Sequence, residues 1–399
     1  MGLKSNNSAV AFSIQSGGRG TYNEPNNTTD LAAGLANLRP NITAVTVADD
    51  SYTGGVFRNA DAVAGKRVAY TFDMKLKPPA SLPAANAFVL GRLLQAAKMT
   101  EVRTATAIPA SAEAVGGSGN TTTALALGSS GSSTDDIYNG FPVLISDNGS
   151  SYKQRLTTIR DYTGSTKLAE LMETLGAAPA ANWQIPTFIG YFMDFSSAEP
   201  PVLSGKIWID GVLTELMDVG VTGIRFPIPT SNTQQAQFPR VEFTVEGTIV
   251  DTTDESTPTI PSIGPAPVLK DGDVWLHKQR VGTSDVTFDL GLQTERPPNA
   301  NQADGSDAPE IAGGTISVNL TMQKYRKATL DSLGLAEAQA YHPLFMQWGN
   351  GAWNTVQMFV RDGRFNFPND DLSGLTAMQQ LSLFVDVRDR NFGIVFPGS

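Results

Sequence analysis

The clearest feature of the chain is a strict alternation of apolar and polar residues that occurs in two distant places. Residues 68–76 alternate with Val68, Tyr70, Phe72, Met74 and Leu76 on one side. Residues 316–323 alternate in the same way, with Ile316, Val318, Leu320 and Met322 on one side. Successive side chains of a β-strand point to opposite faces of the sheet. The two segments therefore predict long strands with one buried face each.

A longer pair of segments indicates that one β unit occurs twice in the sequence. Residues 217–251 and 358–388 each run from a short strand through a glycine turn to an aromatic–proline pair. These pairs are Phe226-Pro227 and Phe367-Pro368. A polar, glutamine-rich loop and a long alternating strand follow in both segments. We interpret the chain as a β protein built by duplication, with a role that depends on shape more than on chemistry.

Composition narrows the class of protein. The chain has 399 residues, 38 glycines and 24 prolines, a composition typical of short strands and turns in two or three domains. It has no cysteine, which excludes disulfides and thiolate metal ligands. The net charge of −10, without a run of Lys or Arg, disfavours a free-standing nucleic-acid-binding protein. With no signal-peptide pattern and no apolar stretch of about 20 residues, we expect cytoplasmic synthesis and no membrane association.

Shifts in composition divide the chain into five parts. The predicted parts are an N-terminal arm (1–40), a first β domain (41–120 and 187–252), an inserted small β domain (121–186), a linker (253–267) and a second β domain (268–399). The insert has its own turn signals, and it accounts for the difference in length between the two copies. We expect it to lie on the outside of any assembly.

Each β domain is expected to carry one flanking helix. The strongest helical pattern covers residues 81–99, with Ser81 as the N-cap and Pro83 in the first turn. Residues 328–348 also have helical signals, which glycine and proline interrupt. Residues 297–314 form a long polar loop without a core pattern, and this predicts a reaching or mobile element.

No motif in the chain requires an enzyme. The two histidines, His277 and His342, belong to no catalytic triad pattern, and the apolar context of His342 favours a structural role. Acidic clusters lie in turn-like sequence without calcium-loop spacing: Asp49-Asp50, Asp135-Asp136, Asp370-Asp371, Asp271 with Asp273, and Asp304 with Asp307. Five scattered tryptophans favour packing over a sugar-binding platform: Trp183, Trp208, Trp275, Trp348 and Trp353. We predict no catalytic residue, no metal site and no cofactor.

Taken together, these features resemble the major tail tube proteins of long-tailed, non-contractile bacteriophages. The segments that carry the resemblance are 68–76, 81–99, 187–213 and 241–251 in the first copy, and 316–323, 328–348 and 358–388 in the second. The opening at residues 5–23 resembles the openings of such proteins. Segments 135–143, 157–164 and 183–185 resemble a small β module common in phage virion proteins. The resemblance covers nearly the whole chain and rests on pattern, not on an invariant motif.

The resemblance implies a β-sandwich or barrel with one flanking helix, joined by sheet pairing between subunits into stacked rings around a DNA channel. Most members carry one such domain and form hexamers, whereas this chain carries two. Three chains would therefore close a ring with pseudo-six-fold symmetry. The implied location is the virion tail, and the implied partners are further copies of the chain and the tape measure, terminator and tail-tip proteins. DNA would pass without specific binding, so we expect a net acidic channel lining and no basic ladder.

Two other classes of function compete with this one. An adhesin or carbohydrate-binding β-sandwich is disfavoured by the absence of a signal-peptide pattern. A multi-domain β hydrolase needs a cleft of paired carboxylates that the sequence does not identify. We also expect residues 1–40 and 297–314 to become ordered mainly on neighbouring subunits, because they have few apolar side chains to offset the entropy of ordering.

Overall fold

The computed structural model describes residues 4, 6–49, 51, 60–146, 155–231, 236–302, 305–374 and 376–398. Within these residues the chain forms twenty-five β-strands and two short α-helices. The prediction of a mainly β fold is confirmed. No helix in the described part of the chain is long and apolar enough to cross a membrane.

The elements fall into three groups along the chain. The chain begins with β1 (Ser8–Ile14), β2 (Leu35–Val47), β3 (Ala62–Lys75), α1 (Val89–Ala96) and β4 (Met99–Thr104). A separate small sheet follows, with β5 (Ile108–Ala114), β6 (Ala124–Ala126), β7 (Pro142–Ser146), β8 (Arg155–Thr163), β9 (Leu168–Leu171) and β10 (Asn182–Ile185). The chain then returns to the main sheet with β11 (Phe188–Met193), β12 (Leu203–Ile209), β13 (Val212–Pro229) and β14 (Arg240–Asp254).

The remaining elements lie after residue 272. They are β15 (Asp273–Leu276), β16 (Gln279–Arg280), β17 (Thr283–Asp289), β18 (Leu292–Glu295), β19 (Glu310–Gly314), β20 (Ser317–Gln323), α2 (Ser332–Ala338), β21 (His342–Gly349), β22 (Thr355–Phe365), β23 (Asn369–Asp371), β24 (Met378–Val385) and β25 (Phe392–Pro397). We call the elements from β15 onward the second half. The first half comprises β1–β4, α1 and β11–β14, and the insert comprises β5–β10.

Both halves have the same strand order. Strands pair in the order β2-β3-β14-β13-β12-β1 in the first half. They pair in the order β17-β20-β24-β22-β21-β15 in the second half. When these six strands of each half are numbered along the chain, both orders read second, third, sixth, fifth, fourth, first. In both halves the helix lies between the third and fourth strands, which is the arrangement expected of two copies of one unit.

The halves are joined by sheet pairing and by a shared core. β13 pairs with β17, and β11 pairs with β25, so strands of one half continue the sheet of the other. One apolar cluster contains Phe72 and Phe243 from the first half together with Phe288, Trp348 and Phe392 from the second. Separating the halves would expose this cluster to water, so they are not two bodies connected only by a linker.

The interpretation of residues 1–40 as an arm outside the core is wrong. β1 pairs along its whole length with β12, from Ser8 opposite Ile209 to Ile14 opposite Leu203. Its residues 9–12 are completely buried, because a strand with sheet on both faces needs apolar residues at every position. The run AVAF is the signal, and the polar sequence on either side of it hid the strand.

The insert begins earlier than the sequence predicted. Its strands are ordered β5-β10-β7-β8-β9-β6, so residues 111–114 belong to a paired strand and not to a linker. The insert also shares a core with the second half. Phe141 of the insert packs against Phe188 and Phe192 of β11, and Phe192 packs against Phe359 of β22. The insert is therefore seated on the main sheet.

Helix and loop predictions need three corrections. α1 begins at Val89, and Phe88 occupies its N-cap position without a side-chain cap hydrogen bond, so Ser81 is not the cap. Residues 342–349 form β21, a strand that is buried along most of its length and pairs with β22. Residues 310–314 form a strand that pairs with β18, so the region 297–314 is partly a hairpin.

Candidate assembly surface

The two halves meet where the end of β13 pairs antiparallel with β17. In this register Phe226 lies opposite Phe288, and Ile228 lies opposite Val286. All four side chains are buried. The rings of Phe226 and Phe288 lie 6.2 and 5.6 Å from the ring of Phe392. The junction thus combines backbone pairing with an aromatic core.

This junction makes one sheet continuous through both halves. Its order is β2-β3-β14-β13-β17-β20-β24-β22, with β23 continuing the line of β22 along β24. The sheet therefore has eight strand positions. One end of it is β2, and the other end is the line of residues 363–371.

The two ends of this sheet correspond to the two strands that meet at the junction. β2 is the second strand of the first half, as β17 is of the second half. β22 is the fifth strand of the second half, as β13 is of the first half. In the described part of the chain, β2 has only β3 as a strand neighbour, and residues 363–371 have only β24 as a neighbour in this sheet. Each end therefore presents unpaired backbone N–H and C=O groups.

An apolar side chain is exposed at one of these ends. Phe226 lies two residues beyond Ile224, which pairs with the sixth strand of the first half. Phe367 lies two residues beyond Phe365, which pairs with the sixth strand of the second half. The two phenylalanines are therefore equivalent positions. Phe226 is completely buried, whereas Phe367 is 61% exposed.

The outer part of the β2–β3 hairpin is a second exposed surface. The strands stay paired as far as Val47 opposite Ala62, while every residue from position 39 to position 47 is at least partly exposed. Four apolar side chains of this part are more than half exposed: Ile42, Val45, Val47 and Val63. A two-stranded hairpin with exposed apolar residues is weakly stable alone and typical of a contact surface.

The face of the eight-stranded sheet opposite the core is polar and nearly neutral. Along strand residues 35–39, 67–75, 223–229, 240–247, 283–289, 317–323, 364–366 and 378–385 it carries five carboxylates and six cations. The carboxylates are Asp73, Glu242, Glu246, Asp285 and Asp289, and the cations are Arg39, Arg67, Lys75, Arg225, Arg240 and Arg364. Most other side chains on this face are Thr, Ser, Asn and Gln.

Two arginines of this polar face are held by carboxylates. Arg225 lies 3.6 Å from Glu242 and 3.4 Å from Asp289, so it bridges the junction between the halves. Arg240 lies 3.3 Å from Asp73 on the neighbouring strand. Both arginines are therefore compensated by acidic neighbours, whereas Lys75 lies over the ring of Phe238 and Arg364 over the ring of Tyr341.

Ion pairs fasten the insert to the second half. Arg160 of β8 lies 2.8 Å from Asp362 of β22 and 2.9 Å from Glu170 of β9. Arg361 reaches back to Asp161 at 3.1 Å. Asp362 is largely buried, and a buried carboxylate left without its partner is costly. These pairs therefore fix the orientation of the insert as well as its position.

The two histidines lie together but form no catalytic pair. Their rings meet edge to face with centroids 4.4 Å apart, and His342 stacks on Phe365 at 5.1 Å. Burial lowers the pKa of His342 to about 4, and the charges of His277 and Arg160 act in the same direction. His342 is therefore neutral near pH 7 and packed as an aromatic side chain.

The acidic clusters and tryptophans occupy separate places. Asp371 accepts a hydrogen bond from the N–H of Ser373, and Asp370 pairs with Lys324. Asp50 and Asp304 lie outside the described residues. Among the residues that the structure describes, no group of three His, Asp or Glu is placed to hold a metal ion. The fully buried tryptophans pack in the core: Trp183, Trp208 and Trp348.

No model of a known protein family matches the chain, and no curated protein matches it either. The role of the sheet ends and of the hairpin is therefore inferred from their geometry.

Proposed function

We propose that the chain is a structural protein of a long-tailed bacteriophage virion, which closes rings of three copies that stack into a tail tube. The observation that supports this most directly is the complementarity of the two sheet ends. Inside the chain a fifth strand pairs with a second strand, and the ends present an unpaired fifth strand and an unpaired second strand. A head-to-tail contact of this kind generates a closed ring when the rotation between copies closes.

The size of such a ring suits a conduit. Three chains with eight strand positions each would give a closed sheet of about 24 strands. At a spacing of about 4.8 Å, 24 strands have a circumference of about 115 Å and a diameter of about 37 Å, and strand tilt increases this diameter. Such a barrel has room for duplex DNA after the lining side chains are counted.

The chemistry of the sheet supports the same role. The core side of the eight-stranded sheet is covered by the rest of the chain, so the polar face would line the channel. With five carboxylates and six cations, that face is nearly neutral, whereas the sequence-based expectation was a net acidic lining. Duplex DNA is held by unpaired Lys and Arg through the release of counterions. A lining of hydroxyls, amides and paired arginines would allow DNA to slide.

The exposed β2–β3 hairpin supports stacking of rings. Its apolar side chains would be covered by the adjacent ring, because nothing in the described part of the same chain covers them. In this proposal the tape measure, terminator and tail-tip proteins meet the tube at its interior and ends. The protein has no catalytic role and associates with no membrane.

Electron microscopy of the purified chain at increasing concentration tests the proposal. We expect rings with a central hole and three-fold symmetry, and tubes made of these rings at high concentration. Mass measurement of an isolated ring should give three times 42.4 kDa. A protein that stays monomeric at all concentrations, or a ring without a hole wide enough for a duplex, would contradict the proposal. Neither an adhesin nor a hydrolase predicts tubes.

A further inference from the structure

We propose that the contact between copies repeats the junction inside the chain, with residues 366–372 of one copy entering a groove beside β2 of the next. This inference rests on the proposed function, since it specifies how the ring closes.

The register follows from equivalent positions in the two halves. Val286 of β17 lies opposite Leu320, and Leu35 of β2 lies opposite Met74. Leu320 and Met74 each face the core from the third strand of their half. Met74 lies two residues beyond Phe72, and Leu320 lies two residues beyond Val318. Phe72 and Val318 are equivalent, because their sixth-strand partners pair with Ile224 and Phe365 respectively. Leu35 is therefore the equivalent of Val286.

A bulge in β2 determines which residue after Leu35 is the next to face the core. Asn37 and Leu38 both fall between the paired residues Ala36 and Arg39. Leu38 packs against the core, whereas Asn37 is exposed and has a positive φ of 54°. Leu38 is therefore the equivalent of Phe288.

The incoming segment has a bulge of its own, because Phe365 pairs with Leu383 whereas Asn369 pairs with Gln380 and Asp370 with Gln379. Asp370 is therefore the equivalent of Ile228, and transfer of the internal junction places Phe367 opposite Leu38 of the next copy and Asp370 opposite Leu35.

A groove lies at the place where the incoming segment would continue. In the second half, Val281 N–H donates to Val274 O at 2.9 Å, and the end of β13 at Thr230 and Ser231 lines a cavity of about 430 Å³ beside this bond. In the first half, Ala32 N–H donates to Val10 O at 2.8 Å in the equivalent way.

The equivalent cavity beside β2 has a volume of about 340 Å³, and its lining is mainly apolar. Leu31, Met74, Phe88 and Ile263 form its walls. The segment equivalent to Thr230 and Ser231 is Leu372 and Ser373, and Leu372 is 70% exposed. Burial of one leucine side chain in such a groove stabilises a contact by roughly 1.5–3 kcal/mol. We infer that Leu372 of the neighbouring copy occupies this groove.

Charge complementarity supports the same occupant. Lys75 and Lys77 lie at the groove, whereas the incoming segment carries Asp370 and Asp371. Asp370 is paired with Lys324 in its own chain, so Asp371 is the better placed carboxylate for a contact between copies. Opposite charges across an interface set its register and orientation more than its total affinity.

Engineered cysteines test the register, because the natural chain has none. Directly opposed residues in an antiparallel pair have Cα atoms about 4.5–5.5 Å apart, within the range that a disulfide requires. Within one chain, positions 35 and 370 are at opposite ends of eight strands, about 34 Å apart. A disulfide between Leu35→Cys and Asp370→Cys, or between Leu38→Cys and Phe367→Cys, can therefore form only between copies.

On a non-reducing gel we expect covalent trimers from either double variant after mild oxidation of assembled protein. The matched control is Ile42→Cys with Asp370→Cys, since position 42 lies about 23 Å farther along β2 and should give no cross-link. If the natural chain assembles but neither designed pair cross-links, the register is wrong while the ring proposal survives. If the natural chain never assembles, the ring proposal itself fails.

A charge exchange tests the groove independently. We expect Lys77→Glu and Asp371→Lys each to lower ring formation at least tenfold at low salt, and their combination to restore most of it. Leu372→Asp should also block assembly, whereas Val387→Asp should not, because Val387 is equally exposed and lies at the far end of β24. Circular dichroism and thermal unfolding show whether each variant still folds. Folded variants that all assemble like the natural chain would overturn the groove assignment.

Discussion

Phe226 and Phe367 show how one position in a repeated pattern acquires two environments. Both follow a core residue of a fifth strand by two positions, and both precede a proline. Phe226 is buried because β17 of the same chain lies against it. Phe367 is exposed because it lies on the edge of the eight-stranded sheet, where no described strand of the same chain pairs beside it. At the scale of residues, exposure is therefore set by the neighbouring strand and not by the local sequence.

His342 makes the stability of the fold depend on pH. Its pKa is about 4 in the folded protein, against about 6.5 in an unfolded chain. Between these values the unfolded chain binds a proton that the folded protein does not, so stability falls as the pH falls from about 6.5 to about 4. The loss is at most about 3 kcal/mol. Above pH 6.5 the contribution is fully present.

Replacement of His342 by Phe should remove this contribution while keeping the stack on Phe365. We expect guanidinium unfolding to give a smaller loss of stability between pH 7 and pH 5 for His342→Phe than for the natural chain. Carboxylates that titrate at the lower end of this range affect both proteins equally, so only the difference between them is diagnostic. Parallel pH curves would show that the histidine is protonated equally in both states.

At the scale of elements, the insert packs against the second half and completes its hydrophobic core. Its aromatic residues share a core with β11, β22 and β25, and Arg160 pairs with Asp362 beneath it. A Gly/Ser bridge in place of residues 108–185 would expose Phe192, Phe345 and Phe359. Deletion of the insert is therefore expected to disturb folding and assembly, although we place the insert on the outside of the ring.

We expect the deletion variant to have a low soluble yield, to bind a hydrophobic dye strongly and to form no rings. The matched control is an added Gly-Ser-Gly at Gly117, where the structure has open space. This addition should leave the unfolding midpoint and assembly unchanged. A deletion variant that folds and assembles like the natural chain would show that the shared core is dispensable.

The β2–β3 hairpin should behave in the opposite way. Replacement of residues 44–66 by Asn-Gly removes its exposed outer part and keeps the pairing of Asn41 with Ala69. Since few buried contacts are lost, we expect the unfolding free energy to change by less than about 1 kcal/mol. Light scattering should then detect rings but no long tubes. Tubes of normal length from this variant would exclude the hairpin as the stacking element.

At the scale of the whole molecule, the eight-stranded sheet gives the chain one polar face that crosses both halves. We expect the substitutions Asp285→Lys, Thr287→Lys and Asp289→Lys together to slow the passage of DNA. These three residues lie on the polar face of β17, and each ring would gain about nine lysines that bind phosphate by releasing counterions.

Tubes of the triple-lysine variant should retain duplex DNA at about 0.15 M salt and release it as the salt concentration rises. The control places three lysines at the exposed residues Ser133, Thr163 and Ser165 of the insert, where we expect an outer surface. These lysines should bind DNA only on the outside, where nuclease can digest it. Equal nuclease sensitivity for both variants would contradict a lumen at the polar face.

The sequence by itself determined the local elements. A period of two predicted β3, β14 and β20, because alternation follows directly from strand geometry. The aromatic–proline pairs pointed to equivalent positions in two segments that have the same strand order in the fold. The continuous apolar run of β1 was present but short, and its polar flanks concealed it.

Tertiary structure decided which strands meet. The partner of Phe226 is Phe288, and nothing near either residue in the sequence specifies that pairing, because strand partners are chosen by the packing of whole faces. The packing of whole faces also decides where the insert contacts the main sheet and which residues the two halves share in their core. The candidate assembly surface is defined only by the strands that this pairing leaves without a neighbour. For that reason the sequence predicted strands and a repeat, and the fold alone located the two ends.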